Sequence, residues 1–506
     1  PAVEYRFWFD HIVGDKRVTS RGPLDHPPGI KSIDVIDPYT VKLNFNSKDP
    51  NYHSMIIIHS ATSLKNNQCD IQPSHYIKKI HPGFIGMEAA KKIAKEKGFE
   101  SVEIMFIAIL KEASKPLFAR FAVPTMLPYI VSKRTQTEIL YERNPYYPFV
   151  DTEGNQLPYI DYVRTNLASS VQIAELKAST GEADIAYSML SASNVPFYKK
   201  MEKKGGYKTL IWVNSSSSFP FYMFNFNNTA NPQYIPIFMD KRFRQAMSLA
   251  INRKKVNKRF FFGKGIPMQA TFPVTHPLFK EAYAKSFADY DPERAKKLLD
   301  EMGMKDTNGD GFREMPDGSP FSIKLMWADS IYFGQIELNE LIVEYWQDIG
   351  IKIGIDVVGS SSFWQRSFNS DYDIKGHNMD GVMPSYSTGA IVRGLSPIMG
   401  GPASGWTQWG SWFLTNGKVG VEPPEDIKKL QALGMKAKEG NMQALDELGK
   451  QLAENLWVIG TVGHTPVPII INNRLKNVVK TGVWGHSSYE KFMLPEQWYI
   501  DDENTK

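Results

Sequence analysis

Three tryptophans lie three residues apart in a segment rich in glycine and serine. Trp406, Trp409 and Trp412 belong to the run Gly-Trp-Thr-Gln-Trp-Gly-Ser-Trp-Phe. This spacing places the rings on one face of a short helix, or groups them within a loop. Flat indole rings stack on the apolar faces of sugars and also line pockets for peptide side chains. The alternative is that each ring packs in a core; for the cluster as a whole, we predict that it faces a ligand cleft.

Polar side chains follow a predicted strand in the same half of the chain. Asp373–Met379 reads as a strand, and the loop after it carries Asp380. In α/β lobes, ligands bind beyond the carboxyl ends of such strands. We therefore expect Asn378 and Asp380 to supply directional hydrogen bonds to a ligand. Trp327 and Trp364 complete the candidate ligand-binding residues.

An acidic segment places oxygen ligands at alternate positions, as a calcium loop does. Its candidate metal ligands are Asp306, Asn308, Asp310 and Asp317. The match is incomplete, because Asp317 stands where a calcium loop has a bidentate glutamate and because a strand follows instead of a second helix. The sequence therefore favours a polar hairpin built from Asx turns, with no cofactor; one structural calcium is the alternative.

Length and composition exclude several classes of protein. A chain of 506 residues predicts two or three domains. Its net charge of +5 is small and the sequence has no block of basic residues, so nucleic acid is not expected as a partner. The longest apolar stretches, such as Ile104–Leu110, are too short to span a bilayer. Metalloprotease, nucleophile-elbow, phosphate-loop and dinucleotide motifs are absent from the sequence, which argues against an enzyme.

The coarse pattern of the chain is that of an α/β protein. Two alternating runs flank Asp37-Pro38 as a hairpin, Glu138–Arg143 reads as a further strand, and Val102–Leu110 as an apolar strand or a buried helix. Later, strands and helices alternate in β-α-β-α-β order over Phe321–Trp327, Ile336–Ile349, Lys352–Val358, Ser361–Asn369 and Asp373–Met379. This order predicts a parallel sheet with right-handed crossovers.

Two amphipathic helices in the middle of the chain carry start signals. Asp240 can cap the first of them, and Asp291 can cap the second, which ends at Gly303. Together, Asp240–Arg253 and Tyr290–Gly303 resemble the paired signature of the family 5 extracytoplasmic solute-binding proteins. Members of that family supply ABC importers with oligopeptides, nickel chelates or oligosaccharides.

The resemblance implies a two-lobed α/β fold of the periplasmic-binding-protein type (type II, cluster C), with three domains and a cleft at the lobe interface. It assigns residues 1–127 to the remainder of domain II and residues 128–235 to domain I. Residues 236–464 then form domain III, and residues 465–506 return to domain I. The chain would cross between the lobes near 232–240 and 458–468, in two hinge strands that run side by side.

The start of the chain has a counterpart within the family. Val3–Ile12 resembles a helix that follows an Asp-Gly-x-Pro turn, so we expect an upstream segment of domain I and part of domain II to be missing. The sequence shows no signal peptide at its start, and with an upstream segment missing this says nothing against export. The resemblance implies an extracytoplasmic monomer, in the periplasm or held at the cell surface by a lipid anchor, whose partners are a small solute and the permease of an ABC importer.

The resemblance leaves an oligosaccharide and an oligopeptide as competing ligands. In the peptide-binding branch, an Asp of a Trp-Gly-x-Asp-Tyr-x-x-Pro run pairs with the peptide's α-amine. Here Val382 stands near that position, and Asp380 lies two residues earlier. An uncharged sugar has no ammonium to neutralise, so this departure and the tryptophans favour an oligosaccharide. The oligopeptide is the alternative, and an enzyme built on this scaffold is a remote third.

Overall fold

A computed structural model describes residues 2–13, 15, 17–18, 30–45, 73–114, 123–125, 127–187, 190–328, 336–377, 406–438, 440–484 and 494–501. By their internal contacts, the residues divide into two units. Unit 1 consists of Pro1–Ala168, Arg474–Val479 and Ser487–Lys506, and unit 2 of Ser169–Asn473 and Lys480–His486.

The strands alternate with helices along most of the described chain. The strands are β1 (Ile30–Asp37), β2 (Thr40–Phe45), β3 (Tyr129–Arg134), β4 (Glu138–Arg143), β5 (Tyr162–Asn166), β6 (Ile185–Ala186), β7 (Tyr207–Asn214), β8 (Phe221–Phe224), β9 (Ile266–Pro267), β10 (Ser322–Ala328), β11 (Lys352–Val358), β12 (Ile374–His377), β13 (Val458–Gly460), β14 (Val462–Gly463), β15 (Pro466–Asn472), β16 (Leu475–Lys476), β17 (Val483–Trp484) and β18 (Tyr499–Ile500).

Most helices are short, and the longer ones carry one apolar face. The α-helices are Ala2–Phe7, Ser74–Ile77, Pro82–Ile85, Met87–Glu96, Val102–Ser114, Val171–Ser179, Val195–Gly205, Ile235–Met239, Lys241–Leu249, Arg253–Phe261, Glu281–Lys285, Pro292–Glu301, Ile336–Gln347, Ser360–Asn369, Thr407–Leu414, Glu425–Lys438 and Met442–Asn455.

Unit 1 combines three antiparallel sheets, one of them formed by β16 and β18, with a helical core. The predicted hairpin at Asp37-Pro38 is confirmed, since β1 and β2 pair from Ile30 opposite Phe45 to Asp37 opposite Thr40. A second sheet has the order β3-β4-β5. Val102–Leu110, which the sequence predicted as either a strand or a buried helix, belongs to the helix Val102–Ser114. Its side chains Phe106 and Ile109 are buried in the core of unit 1.

The two signature helices lie in unit 2 and begin as predicted. The Asp240 carboxylate accepts the N–H of Arg242 at the start of Lys241–Leu249, and the Asp291 carboxylate accepts the N–H of Arg294 in Pro292–Glu301. Side-chain caps of this kind satisfy N–H groups that have no partner within the helix. The apolar faces of both helices are buried in the main core of unit 2.

A five-stranded sheet forms the centre of unit 2, in the order β11-β10-β12-β8-β13. β10 is parallel to both β11 and β12, which confirms the predicted parallel arrangement. β8 and β13 extend the sheet in antiparallel pairing, so that Phe221 stands opposite His377 on one side and opposite Gly460 on the other. These three residues form one row across three neighbouring strands.

Two segments of unit 2 connect this sheet to a second sheet, whose order is β17-β7-β15-β6. We call them the crossing segments: 214–221 leads from β7 to β8, and 460–466 leads from β13 to β15. The prediction that 232–240 would run beside 458–468 is wrong for its first segment, because 232–240 contains a 3₁₀ turn and the helix Ile235–Met239. An Asn-Pro pair resembles a boundary in sequence, yet here it starts a helix.

Candidate functional site

Aromatic side chains gather where the parallel strands of unit 2 end. β10 ends just beyond Trp327 and β12 ends at His377, while the antiparallel strand β8 begins at Phe221. Since β10 and β12 are parallel, their carboxyl ends lie at the same end of the sheet. This is the end at which α/β lobes bind ligands.

The ring of His377 is the centre of this aromatic group. Its centroid lies 6.0 Å from that of Phe221 across the strand pair, and 6.0 Å from that of Phe363 in a stacked arrangement. The indole of Trp364 lies 5.4 Å away, edge to face. The helix Ser360–Asn369 supplies both Phe363 and Trp364, because these neighbours sit at the start of a helix that packs on β10.

Burial differs among the rings at this end of the sheet. Phe363 is only 1% exposed and packs against the His377 ring. Trp364 and His377 are half-buried. Trp327 is 2% exposed and lies with Gly376 on the opposite face of the sheet, because side chains alternate along a strand. Gly376 is needed beside Trp327, because a Cβ there would come within 2.6 Å of the Trp327 ring.

A buried amine lies on the same strand. Lys375 is fully buried, and its Nζ lies 4.6 Å from the centroid of the Tyr372 ring. Burial lowers the pKa of Lys375 to about 7, since an ammonium loses its hydration inside the protein. Local sequence does not reveal this environment, because it depends on the pairing of β12 with β10 and β8.

The crossing segments leave the sheet from the row that contains His377, and they are bonded to each other. The N–H of Phe219 donates to the carbonyl of Val462 at 2.7 Å. The hydroxyl of Ser218 accepts the N–H of Thr461 at 2.8 Å. Further along, the N–H of His464 donates to the carbonyl of Ser216 at 3.0 Å. Two strands of chain that join two sheets and lie side by side have the arrangement of a hinge.

Two buried side chains fix the point at which the second crossing segment starts. The Gly460 carbonyl accepts Nε of Arg253 at 3.0 Å, and the Gly460 N–H donates to the side-chain oxygen of Gln269 at 2.9 Å. Arg253 and Gln269 are each 2% exposed. Arg253 closes the first signature segment, but its role in holding a strand from a distant part of the chain could not be read from local sequence.

A match to a family model covers most of the chain. Residues 2–390 match the model described as bacterial extracellular solute-binding proteins, family 5 Middle. The chain belongs to this family. The resemblance drawn from the signature helices is thereby confirmed, and so is the two-lobed α/β fold class that it implied. Because the family consists of binding proteins, the prediction that the chain is not an enzyme is also confirmed.

Individual family members resemble the chain over most of its length. It is 24% identical over 489 residues to a periplasmic alpha-galactoside-binding protein of Rhizobium meliloti (strain 1021), covering 93% of this chain and 65% of that relative. It is 29% identical to the solved structure of an oligopeptide-binding protein, OppA, with a TM-score of 0.61 and coverage of 99% of this chain and 80% of that one. A structure of MelB from Agrobacterium fabrum C58 with stachyose is 20% identical, with a TM-score of 0.69 and coverage of 99% and 72%.

Two of the three tryptophans that the sequence placed in a cleft belong instead to the core of unit 2. Trp406 and Trp409 are 1% and 3% exposed. The Trp409 ring stacks on Phe226 at 5.9 Å, and the Trp406 ring lies 5.4 Å from Trp457. The expectation that these two rings face a cleft is wrong, because a spacing of three matches a buried helical stripe as well as a binding face.

The third tryptophan and the polar loop have different outcomes. Trp412 is half-buried on the helix Thr407–Leu414, and the Lys428 ammonium lies 5.5 Å from the centroid of its ring. Asn378 and Asp380 follow His377 directly in the sequence but lie outside the described residues. Trp364 is the predicted ligand residue that the fold brings beside His377, which the sequence did not single out. Trp327 is buried next to Gly376 on the opposite face of the sheet and is not part of this aromatic group.

The acidic loop folds through its own hydrogen bonds. The Asp306 carboxylate accepts the N–H groups of Gly309 and Gly311, and the Asp317 carboxylate turns away to accept the N–H of Ser319. The Asp317 bond is an Asx turn, and so are the bonds that the Asn308 and Asp310 side chains accept from the N–H groups of Asp310 and Phe312, as the sequence favoured. Carboxylate oxygens of Asp306, Asp310 and Glu314 lie within 4.8 Å of one another, so this set, and not Asp317, could hold a cation.

Glu314 is the member of this acidic set that the sequence missed. It is buried, and its carboxylate accepts the N–H and hydroxyl of Thr307 and the side-chain amide of Asn308. A search for oxygen ligands at alternate positions would have found it two positions beyond Phe312.

No helix within the described part of the chain combines the length and apolar character that a bilayer span requires.

Proposed function

We propose that this chain is an extracytoplasmic receptor that captures an oligosaccharide between two lobes and presents it to the permease of an ABC importer. The observation that carries the proposal is the pair of half-buried rings, Trp364 and His377, which lie 5.4 Å apart at the carboxyl ends of the parallel strands. Rings of this kind stack on sugar faces, and no charge is required of the ligand. The permease, the monomeric state and the periplasmic or lipid-anchored location are part of this proposal.

Two relatives support a saccharide as the ligand. The Rhizobium meliloti relative is named for binding alpha-galactosides, and MelB was solved with stachyose. The chain spans 65% of the length of the Rhizobium meliloti relative, so the ligand class is carried over as a proposal only. The oligopeptide-binding protein OppA, which is 29% identical, supports an oligopeptide as the second candidate.

Capture needs motion between the two lobes, and the crossing segments supply the connection about which it would take place. We place the lobe boundaries at 214–221 and 460–466, where the chain passes from one sheet of unit 2 to the other. A ligand that contacts both lobes shifts the population toward the closed form by the free energy of those extra contacts. In the closed form, the row formed by Gly460, Phe221 and His377 would lie next to the bound solute.

Calorimetry with matched variants tests the proposal. We expect binding of at least one oligosaccharide from a panel that includes stachyose and raffinose, and loss of about 1–3 kcal/mol of binding free energy in Trp364→Ala, the worth of one large stacked ring. Trp412→Ala is measured in parallel, because the half-buried Trp412 is also a predicted ligand residue and its ring contacts Phe413 rather than His377. Equal binding by Trp364→Ala and wild type would contradict the site, and tight binding of peptides alone would replace the sugar by the second candidate.

A further inference from the structure

His464 joins three segments of unit 2 at the second crossing segment. Its backbone has a left-handed φ of 51°, and its N–H donates to the carbonyl of Ser216 in the first crossing segment at 3.0 Å. Its ring nitrogen Nε2 accepts the N–H of Val274 at 3.3 Å. A single residue therefore holds both crossing segments and the loop around Val274.

The chain changes its attachment at this residue. Just before His464, Val462 and Gly463 pair with Pro267 and Ile266 of β9 in a separate two-stranded sheet. Just after it, the carbonyl of Thr465 accepts the N–H of Asn214, and β15 begins its pairing with β7. Any rotation of one sheet against the other must be taken up where the attachments change, which for this segment is His464–Pro466.

We propose that the His464 ring is a proton-sensitive latch on the hinge: the neutral ring ties the second crossing segment to Val274, and protonation of Nε2 releases it. The inference rests on the proposed function, because the movement that the latch controls is lobe closure. It adds a form of regulation by pH that receptor function alone does not require.

The chemistry of imidazole makes this bond sensitive to acid. Nε2 can accept the N–H of Val274 only in the neutral tautomer that carries its proton on Nδ1. When a proton from solvent adds to Nε2, both ring nitrogens become donors and two N–H groups face each other. Burial lowers the pKa of His464, so the neutral ring is the form favoured by its surroundings.

The charged groups nearest to this segment lie on the helix Arg253–Phe261, which packs on β9 and β14 and carries Arg253, Lys254, Lys255, Lys258 and Arg259. Residues 214–221, 265–274 and 460–468 contain no Asp, Glu, Lys or Arg. The nearest titratable neighbour in sequence to Val274 is His276, whose Nδ1 accepts the N–H of Leu278 at 3.1 Å and whose pKa is also lowered by burial. His276 must therefore be separated from His464 by experiment.

Amide hydrogen exchange at Val274 reports the latch directly and needs no solute. After correction for intrinsic exchange, we expect protection at Val274 to fall about fivefold to tenfold between about pH 7.5 and about pH 5 in the wild type, the worth of one hydrogen bond. His464→Gln keeps an acceptor that does not titrate, so its protection should not change with pH. His464→Ala should lack the protection at both pH values, and His276→Gln should behave as the wild type.

A distance measurement connects the latch to the hinge. Dyes attached through Lys208→Cys in β7 and Lys352→Cys in β11, with Cys69→Ser to remove the native thiol, should change their energy transfer on acidification in the wild-type background and not in His464→Gln. Protection at Val274 that is independent of pH, or that survives in His464→Ala, would overturn the proposal, and so would energy transfer that responds equally in His464→Gln. Neither latch measurement uses a sugar, whereas the proposed oligosaccharide binding is tested by calorimetry. Failure of the latch proposal can therefore be distinguished from failure of the proposed function.

Discussion

Replacement of Gly460 by alanine should strongly destabilise unit 2. A Cβ at this position would lie 2.0 Å from the backbone nitrogen of Ala270 and 2.5 Å from the carbonyl carbon of Gln269. Real Cβ atoms do not approach other atoms so closely, and backbone atoms cannot swing aside as the end of a side chain can. The strand or its neighbour must therefore move.

The cost follows from the bonds at Gly460. Overpacking a close-packed site costs about 1–3 kcal/mol. A shift also weakens the bond from Gly460 N–H to Gln269, worth about 1 kcal/mol, and the bond from the Arg253 guanidinium to Gly460 O, worth about 1.5–3 kcal/mol. We expect the free energy of unfolding of unit 2 to fall by about 5 kcal/mol.

Urea denaturation followed by tryptophan fluorescence measures this effect, because all tryptophans except Trp8 and Trp498 belong to unit 2. Gly354→Ala is the matched control: Gly354 lies in β11 of the same sheet, and a Cβ there meets nothing within 4 Å. The control should change stability by less than about 1 kcal/mol. A loss below about 1 kcal/mol in Gly460→Ala, or equal losses in both variants, would refute the steric reasoning.

Three further outcomes are expected. Asp380→Asn should weaken any peptide binding far more than sugar binding, as calorimetry at low and high salt would show, because only a peptide ammonium needs the carboxylate. The free energy of unfolding should decrease as the pH falls below about 6.5, since burial lowers the pKa values of three histidines and the unfolded chain takes up their protons first; urea titrations at several pH values test this for His81, His276 and His464. Chelation with EDTA should leave the unfolding temperature unchanged, because the acidic loop is held by its own hydrogen bonds; a rise with calcium that Glu314→Gln abolishes would instead favour the structural calcium.

Local patterns predicted the elements that need only neighbours in sequence. The caps at Asp240 and Asp291 and the turn at Asp37-Pro38 all occur as predicted, because each depends on side chains or turn residues a few positions away. The parallel pairing of β10, β11 and β12 was also predictable, since alternating strands and helices leave little choice of topology. For the candidate site, this reasoning reached Trp364 but not His377, whose ring connects Trp364 to Phe221 of β8.

Tertiary structure decided what depends on partners far along the chain. A helical spacing of tryptophans cannot show which face is buried, and only the packing of Phe226 and Trp457 places Trp406 and Trp409 in the core. Likewise, the pairing of 214–221 with 460–466 joins residues more than two hundred positions apart, as the bond from Thr461 N–H to Ser218 does. The sequence alone determined the family and the order of elements, because those follow from local chemistry. The bonds between the crossing segments, their anchors Arg253 and Gln269, and the aromatic group around His377 were decided by the fold, because contacts between distant segments create them.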